Sequence, residues 1–361
     1  MMGRFRTPTS SVFNGGTLSI PIELNNLFKR QIKLFFVEMA SQIMTTVSKI
    51  KNALKKSNVV MNCYAEIDTQ FRAFLYTLSP TLLAKYIFFK KRRRLPDFNK
   101  PQTFDEKLLW LMLFWKHPLK TQCADKYAVR SYVEEHGLGH TLPELFGVYE
   151  KSSEIDLDSL PERFVLKCTR GCGFNIICKN KGDLNWKGTK RQLNSWMKVD
   201  ISKVIGEDHY ARIHPRIVCE SYLDDLSGDV PNDYKVYCFN GKAHCTMACT
   251  ERGTGERAVF NFYDLNWEKK LLYNKTSQMT KGRIPKPDAY EEIIVAAEKL
   301  SKPFPFVRMD FYSVKGKAIF GEMTFTPNGC IDKGYTDLAQ HELGKLIKLP
   351  EKRLEWDTRQ E

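Results

Sequence analysis

The 361-residue chain has no apolar run that approaches the roughly 18 residues of a membrane-spanning helix. It lacks an N-terminal apolar core followed by a small-residue cleavage site, so we expect no secretory signal. It has no internal repeat, which excludes a solenoid, and no GxxxxGK[ST] sequence, which excludes a Walker A phosphate loop. No Ser-His-Asp or Cys-His constellation stands out, so we expect chemistry without an enzyme nucleophile.

A disulfide framework is also missing. The ten cysteines are scattered through hydrophobic runs, which is typical of a reducing cytosol and predicts a cytoplasmic protein. Cys168, Cys172 and Cys178 lie close together in sequence, but their spacing and the lack of a second close pair argue against a zinc site.

Positive charge is abundant and unevenly placed. The net charge is +14, and residues 1–100 hold 17 Lys and Arg against 5 Asp and Glu, leaving the other 261 residues with a net charge of only +2. This asymmetry predicts a basic arm that meets a polyanion. We expect an anionic membrane surface, at the inner face of the membrane, and not nucleic acid.

The basic arm has a helical pattern. Apolar residues recur over 24–56 with lysines beside them, so this helix either lies on a membrane surface or docks on the protein's own core. A second apolar helix, predicted over 71–89, ends in the basic run 90–94. That run either binds an acidic headgroup or polymer, or is a solvated face.

Beyond residue 100 the chain is predicted to fold as a mixed body. Hydrophobic residues make up 42% of the chain and aromatic residues 12%, enough for a sizeable core. Thr103 and Glu106 form a capping-box pattern that opens an apolar, buried helix. A further helix is predicted to include residues 124–130 and to stop at Gly137. Helices are also expected over 288–300 and 337–347.

Residues 164–179 predict a strand, a glycine loop and a second strand. Such a flap lays backbone N–H groups over nucleotide phosphates, and a lysine on the strand, here Lys167, neutralises their charge. A buried strand is expected over 215–223, with Glu220 at its exit. Residues 233–248 predict a hairpin with a type I′ turn at Asn240-Gly241, and Asp233 and Lys235 share one face of its first strand.

A second hairpin is predicted over residues 306–325, with a tight turn at residues 315–317. If Gly316 is its midpoint, Asp310 and Glu322 face each other, and Arg308 lies on the face of Asp310. Two opposed carboxylates repel, and a divalent cation such as Mg²⁺ would turn that repulsion into attraction. The alternative is a solvated face of an edge hairpin.

Together these segments resemble the TupA-like ATP-grasp family of teichuronopeptide and other surface-polymer biosynthesis proteins. The resemblance runs from about residue 101 to 349 and rests on FDEKLLW, ADKYAVRSYV, LPERFVLKCTRGCG, PRIVCESYL, DYKVYCFNGKA, PFPFVRMDFY and FGEMTFTP. It implies an α+β ATP-grasp fold, in which two α+β lobes grip ATP. The implied organisation is a basic helical extension over 1–100, the ATP-grasp domain over 101–349 and a polar tail over 350–361.

The resemblance also implies roles for individual residues. The nucleotide ligands it implies are Lys126 and Lys167 on the phosphates, Gly171 and Gly173 in the flap, Glu220, Ser221, Tyr222 and Leu223 as the adenine-reading hinge, and Asp233 on the ribose. Asp310 and Glu322 correspond to the Mg²⁺ carboxylates. Arg308 corresponds to an arginine that steadies the transferred phosphoryl group or an oxyanion, and with Lys167 it would be catalytic.

The sequence departs from the family pattern at a few positions. Thr324 stands where many relatives place an asparagine ligand, and Arg170 replaces an expected histidine. Residues 328–330 replace a more glycine-rich run, which would alter the acceptor pocket.

The chemistry implied is ATP-dependent carboxylate–amine ligation through an acyl phosphate, on an acidic sugar or amino-acid substrate, with ATP and Mg²⁺ as cofactors. Two alternatives remain open at the sequence level. One is a glycosyltransferase, for which the only local support is the DxD of Asp156 and Asp158. The other is a non-catalytic protein that binds a polyanion through its basic arm.

Overall fold

The computed structural model describes residues 58–224, 231–250, 258–275 and 282–356. The chain divides into two compact units, Met1–Asp68 and Thr69–Glu361. Within the first unit only residues 58–68 are described, and they are helical. The helix predicted over 24–56 therefore lies outside the described residues. The predicted domain boundaries at residues 100 and 349 stay predictions.

Helices and short antiparallel strands follow one another along the described chain. The helices are α1 Asn58–Leu78, α2 Pro80–Arg92, α3 Phe104–Phe114, α4 Pro118–Ala124, α5 Val129–Glu135, α6 Trp186–Met197, α7 Ser202–Ile205, α8 Asp208–Ala211, α9 Tyr290–Ser301 and α10 Asp337–Leu346. The strands are β1 Leu145–Tyr149, β2 Phe164–Cys168, β3 Asn175–Cys178, β4 Ile217–Ser221, β5 Asp233–Phe239, β6 Lys242–Thr250, β7 Val259–Asp264, β8 Lys270–Leu271, β9 Phe306–Val314 and β10 Lys317–Thr324. Across the four described ranges, no helix combines the length and apolarity that a membrane span requires.

The strands form two antiparallel sheets. The smaller has the order β1-β4-β2-β3 and the larger the order β10-β9-β5-β6-β7-β8. Helices pack beside these sheets without forming parallel βαβ units, so the fold is α+β, as the sequence predicts. β5 lies between β6 and β9, and this order joins the two predicted hairpins into one sheet.

The single helix predicted over 71–89 is wrong, because the chain breaks between α1 and α2. Ser79 has an extended backbone with φ −172°, and Pro80 occupies the first turn of α2. Proline has no N–H to donate and clashes with the preceding turn, so it begins a helix far more readily than it continues one. The break allows α2 to bury Leu83 and Phe88 in the core of the larger unit.

The helix α3 confirms the capping-box prediction. Thr103 accepts a hydrogen bond from the Glu106 backbone N–H, and the Glu106 carboxylate accepts one from the Thr103 N–H. Apolar residues occur all round this helix, and most of its side chains are buried. Phe104 packs edge-on against Phe306 of β9, with ring centroids 5.2 Å apart. By strand alternation Phe306 shares its face of β9 with Arg308 and Asp310, so α3 packs at one end of the sheet face that also carries the charged residues.

The continuous helix predicted through residues 124–130 is also wrong. α4 ends at Ala124 and α5 begins at Val129, so Lys126 lies in a turn. The buried Asp125 carboxylate accepts hydrogen bonds from the backbone N–H groups of Tyr127 and Ala128, at 2.8 and 3.2 Å. Aspartate favours such local bonds over helix continuation. Gly137, with φ +67°, ends the segment as predicted.

Both predicted hairpins form. Asn240 and Gly241 have positive φ angles, which confirms the type I′ turn. The second hairpin turns through only two residues, Lys315 and Gly316, because Val314 already pairs with Lys317. The predicted three-residue turn is therefore wrong. A β-bulge at Gly321 supplies the missing residue and restores the pairing of residues 310 and 322.

Gly321 is required at that bulge. A Cβ atom built on it would lie 2.8 Å from the Asp310 carbonyl oxygen, closer than real Cβ atoms approach backbone. The close approach of β10 to β9 is what places Glu322 directly opposite Asp310.

Candidate active site

A cleft of about 490 Å³ is lined by residues of both sheets. The small sheet contributes Lys167 and Glu220, and the large sheet contributes Lys235, Asp310 and Glu322. It is the cavity into which most of the predicted site residues converge. Its walls are mainly polar and charged, which suits a charged ligand better than an apolar one.

A row of charged residues crosses three adjacent strands of the large sheet. Glu322 on β10 pairs with Asp310 on β9, and Asp310 pairs with Lys235 on β5. Residues paired across antiparallel strands point to the same face, so all three side chains project together. Arg308, two residues before Asp310, lies on the same face and donates two hydrogen bonds to it, at 2.7 and 2.6 Å.

Lys235 joins two buried acids. Its ammonium donates to Asp310 at 2.5 Å and also pairs with Asp233. Burial would lower the pKa of Lys235, but the carboxylates of Asp310 and Asp233 outweigh it and raise the pKa above its ordinary value. The same contacts hold Asp310 ionised, because Arg308 and Lys235 overcome the effect of burial and lower its pKa.

The predicted repulsion between Asp310 and Glu322 is thus relieved by cationic side chains. Arg308 lies 2.6 Å from Asp310 and 3.5 Å from Glu322, so it serves both acids. Thr324 donates a hydrogen bond to Glu322 at 3.2 Å. Neutralising this pair of acids therefore does not require a metal, and the prediction that Asp310 and Glu322 bind Mg²⁺ stays a prediction.

The donor set still fits a divalent cation. Asp310 and Glu322 supply hard, ionisable oxygens side by side, and Glu322 is half-buried at the cleft. Within the described residues no group of three or more His, Cys, Asp or Glu side chains is arranged to hold a metal. A cation here would accordingly take its other ligands from water and from nucleotide phosphates, which is usual for Mg²⁺.

On the opposite wall, Lys167 and Arg130 share the buried Glu220. Lys167 donates to one Glu220 oxygen at 2.6 Å, and Arg130 approaches the other at 3.2 Å. Burial would lower the pKa of Lys167, but Glu220 outweighs it and raises the pKa. The lysine is therefore fully protonated and is oriented towards the cleft by a partner on the neighbouring strand.

The glycine loop between β2 and β3 lies beside these groups. Gly171 and Gly173 have φ angles of +102° and +74°, and the Gly171 carbonyl accepts a hydrogen bond from Lys126 at 2.7 Å. A Cβ on Gly171 would strike Phe174 at 2.8 Å, so a side chain there would distort the flap. Arg170 points away and donates to the Val199 carbonyl at 2.9 Å.

Cys172 is exposed in this loop and lines the cleft. Its sulfur is nevertheless partly desolvated by the surrounding protein, and this raises the pKa of the thiol. A nucleophilic cysteine needs a lowered pKa, so Cys172 does not match an activated nucleophile. Cys168 and Cys178 are buried on the strands either side.

Most of the predicted nucleotide ligands meet in the cleft. The residues of that set that line it are Lys126, Lys167, Gly173, Glu220 and Asp233. Gly171, Ser221, Tyr222 and Leu223 are not among the lining residues. Tyr222 instead stacks with Arg163, whose guanidinium lies 4.2 Å from the ring centroid.

Three groups in the cleft were missed as site residues. Lys235 and Arg130 contact the predicted acids directly, and Asp332 lines the wall formed by the segment after β10. Lys235 had a usable signal, since it lies two residues after Asp233 on one strand face. Arg130 and Asp332 had none, because their positions depend on the packing of distant segments.

The DxD sequence lies elsewhere. Asp156 and Asp158 are exposed in a turn, where Asp156 accepts a hydrogen bond from the Asp158 N–H at 3.1 Å, and neither lines the cleft. The DxD sequence, which was the local support for a glycosyltransferase, therefore lies in a surface turn outside the cleft.

Comparison with known proteins gives a family match. The model of the TupA-like ATP-grasp family matches residues 106–348, about two thirds of the chain. No curated protein matches. The span covers every charged residue of the row and of the opposite wall described above.

Solved structures give weaker similarities. A D-alanine–D-alanine ligase from Bacillus anthracis in complex with ATP is 15% identical, with 56% of this chain and 55% of that chain covered and a TM-score of 0.34. The ATP-grasp ligase PsnB in complex with a minimal precursor is 12% identical over 64% and 60%, with a TM-score of 0.36. A D-alanine–D-alanine ligase from Helicobacter pylori is 13% identical over 64% and 60%, with a TM-score of 0.36. The chain thus spans between about half and three fifths of these proteins.

Proposed function

The chain belongs to the TupA-like ATP-grasp family, and on that premise we propose that it is an ATP-dependent carboxylate–amine ligase. The observation that carries the proposal is the row Glu322–Asp310–Lys235 with Arg308, which faces the Lys167 wall across one cleft. Acids that suit a metal and cations that suit phosphate are what phosphoryl transfer to a carboxylate needs.

The nucleotide is proposed to bind between the flap and the charged row. Lys126 and Lys167 would neutralise phosphate charge, and the backbone around Gly173 would cover the phosphates. The residues from Glu220 to Leu223 would read adenine, and Asp233 would meet the ribose. Support comes from the cleft itself, which brings Lys126, Lys167, Gly173, Glu220 and Asp233 together.

Asp310 and Glu322 are proposed to hold Mg²⁺. When bound, the cation supplies positive charge that offsets the charge developing on the transferred phosphoryl group. Asp310 is prepared for this role because its carboxylate is kept ionised. Lys235, which now contacts Asp310, has a flexible stem and a second acid, Asp233, within reach.

The proposed reaction has two steps. The carboxylate oxygen of the substrate attacks the γ-phosphorus of ATP, the bond to the β–γ bridging oxygen breaks, and ADP leaves with that electron pair. An amine then attacks the acyl carbon, inorganic phosphate leaves, and the amine loses a proton as the amide forms. Arg308 would stabilise negative charge in both steps, and positioning would supply much of the rate.

The proposed setting is synthesis of a cell-surface polysaccharide or glycopeptide in the cytoplasm. Its carboxylate substrate would be an acidic sugar or amino acid. The basic arm, outside the described residues for most of its length, would hold the enzyme at an anionic membrane face. The family description and the +12 charge of residues 1–100 support this setting.

The test is release of ADP from Mg-ATP, screened against pairs of uronic acids and amino acids. We expect release to depend on one carboxylate class and to be lost in Asp310→Asn. Asp158→Asn, an exposed carboxylate of the same chemistry outside the cleft, is the matched control and should behave like the parent. Sugar-nucleotide cleavage that needs Asp158, with no carboxylate-dependent ADP release, would overturn the proposal.

A further inference from the structure

The segment that follows β10 has an unusual backbone. Asn328, Gly329 and Cys330 are consecutive residues with φ angles of +52°, +64° and +67°. Left-handed conformations are disfavoured for residues with a Cβ, and such outliers persist only where the surroundings hold them. We call residues 326–332 the acceptor-side loop.

The surroundings that hold this loop come from the basic run at the end of α2. Lys91 donates to the Ile331 carbonyl at 2.7 Å and to the Asn328 carbonyl at 3.3 Å. Arg92 donates to the Asp332 carbonyl at 2.7 Å. Two adjacent cations thus bind three carbonyl oxygens of one short segment. The prediction that the whole run is a solvated face, or a free polyanion site, does not describe these two residues.

Arg92 is itself held in place by a buried carboxylate. Arg92 also donates to the buried Asp105 carboxylate, at 2.5 and 2.8 Å, and Gln340 donates to the other Asp105 oxygen at 2.9 Å. Burial lowers the pKa of Lys91, against the opposing effects of Asp105 and Asp332. Lys91 is half-buried, and its ammonium is spent on backbone carbonyls of the loop, so it restrains the loop.

The loop forms one wall of the cleft. Asn328 and Asp332 both line the cleft, and the Asn328 amide donates to the Asp332 carboxylate at 2.5 Å. The cations Lys126 and Lys167 line the same cleft. A polyphosphate is attracted to these two cations and repelled by the Asp332 carboxylate, which leaves the loop for the second substrate.

We propose that Lys91 and Arg92 are positioning residues, which hold the acceptor-side loop in the strained conformation that presents Asn328 and Asp332 to the amine substrate. The identity of the substrate in this proposal rests on the proposed ligase function. The contacts by which Lys91 and Arg92 restrain the loop do not depend on that function. An acid and a carboxamide favour a ligand that bears an ammonium or hydroxyl groups over an anion.

The test uses Lys91→Met, which keeps the stem and removes the donor. Lys90→Met is the matched control, because Lys90 is in the same run but lies over the Tyr86 ring at 5.3 Å instead of on the loop. Lys91→Arg restores a donor. Gly329→Ala distorts the loop from within, since its Cβ would lie 2.9 Å from Ile205. Arg92→Lys is milder than removing Arg92, which would strand Asp105.

The first measurement is independent of turnover. Cys330 is buried, and we expect native alkylation with iodoacetamide, read peptide by peptide, to reach it several-fold faster in Lys91→Met and Gly329→Ala. Lys90→Met and Lys91→Arg should match the parent. Cys172, which is exposed, should react equally in all variants and reports labelling efficiency. Unchanged protection of Cys330 in Lys91→Met would overturn the proposal.

The second measurement separates positioning from general damage. With glucuronate as carboxylate and a mixture of the proteinogenic amino acids as amine, the KM for amine should rise about tenfold or more in Lys91→Met, a loss of about 1.4 kcal/mol. The KM for ATP and the Kd for Mg-AMP-PNP should stay within about twofold of the parent. If the KM for amine and the KM for ATP rise equally in Lys91→Met, Lys91 does not position the acceptor-side loop for the amine. If the parent itself fails to bind Mg-AMP-PNP, the proposed function fails, while the Cys330 result still decides whether Lys91 holds the loop.

Discussion

Removing Asp310 should destabilise the apo protein, whereas removing Glu322 should leave its stability nearly unchanged. The Asp310 side chain is 4% exposed and the Glu322 side chain is 39% exposed. From the hairpin alone, either change relieves a like-charge pair and should stabilise the fold. The sheet order reverses that expectation for Asp310, because its charge is the partner of two buried cations.

The size of the effect follows from the contacts. Asp310 accepts three charge-assisted hydrogen bonds, from Arg308 at 2.7 and 2.6 Å and from Lys235 at 2.5 Å. Breaking a buried ion pair by removing one partner costs roughly 3–5 kcal/mol. Asp233 stays with Lys235 and Glu322 stays near Arg308, so we expect Asp310→Asn to cost about 3 kcal/mol, near the lower end. Glu322→Gln should stay within about 0.5 kcal/mol of the parent.

The assay is urea and thermal unfolding of metal-free proteins, with ADP formation across a Mg²⁺ series beside it. Asp310→Asn should lower the Tm by on the order of 5 °C or more, whereas Glu322→Gln should leave it nearly unchanged. Both should lose turnover at ordinary Mg²⁺, and the double variant should turn over no more slowly than the worse single one, because residues acting as a unit are not additive.

The pH dependence gives an internal check. The pKa of Asp310 is lower in the folded than in the unfolded protein, so its contribution is fully present above the unfolded pKa of about 3.9. As pH falls towards the folded pKa, that contribution is lost, and the difference between the parent and Asp310→Asn should shrink. Equal stability of the two proteins at neutral pH would refute the account of the charged row, and retained turnover in both single variants would refute the metal assignment.

Three further outcomes are expected. Lys167→Ala should weaken Mg-ATP binding by about tenfold or more in calorimetry, with the fold intact, and unchanged affinity would remove Lys167 from the phosphate site. Burial raises the pKa of Glu207 to about 7. Between about pH 4.5 and 7 the unfolded chain releases this proton while the folded protein keeps it. The free energy of unfolding of the parent should therefore fall as pH rises through this window, by at most about 3 kcal/mol. Glu207→Gln should flatten that slope in urea unfolding, and an identical slope would contradict it. Deleting residues 1–60 should reduce co-sedimentation with anionic liposomes, more so at low salt, and spare ATP binding; equal sedimentation would exclude the arm as the membrane contact.

Local chemistry made several elements predictable from the sequence. The capping box at Thr103 and the turn at Asn240-Gly241 depend on residues a few positions apart, and both form as expected. The opposed carboxylates were also predicted, although the turn was one residue shorter than assumed. The bulge at Gly321 corrected the register, and its signal was a glycine in the middle of a strand.

The missed features depend on distant segments. Lys235 meets Asp310 across 75 positions of sequence because β5 happens to lie beside β9. Lys91 meets the acceptor-side loop across 240 positions. No periodicity reports such pairings, and a run of five basic residues looks the same whether its members are solvated or buried. The break at Ser79-Pro80, in contrast, had a local signal that predicts it, namely proline in the first turn of a helix.

The charges of the cleft explain how one row of side chains can be stable without ligand and still accept Mg-ATP. Asp233, Asp310 and Glu322 are balanced by Lys235 and Arg308 to a net charge of −1 in the apo protein. A divalent cation placed on Asp310 and Glu322 would make the row net positive, which a polyphosphate would then offset. We therefore expect metal and nucleotide to bind with positive coupling, since each removes the charge imbalance that the other creates. Calorimetry of ATP with and without Mg²⁺, in the parent and in Glu322→Gln, measures this coupling, and an ATP affinity that is independent of Mg²⁺ in the parent would contradict it.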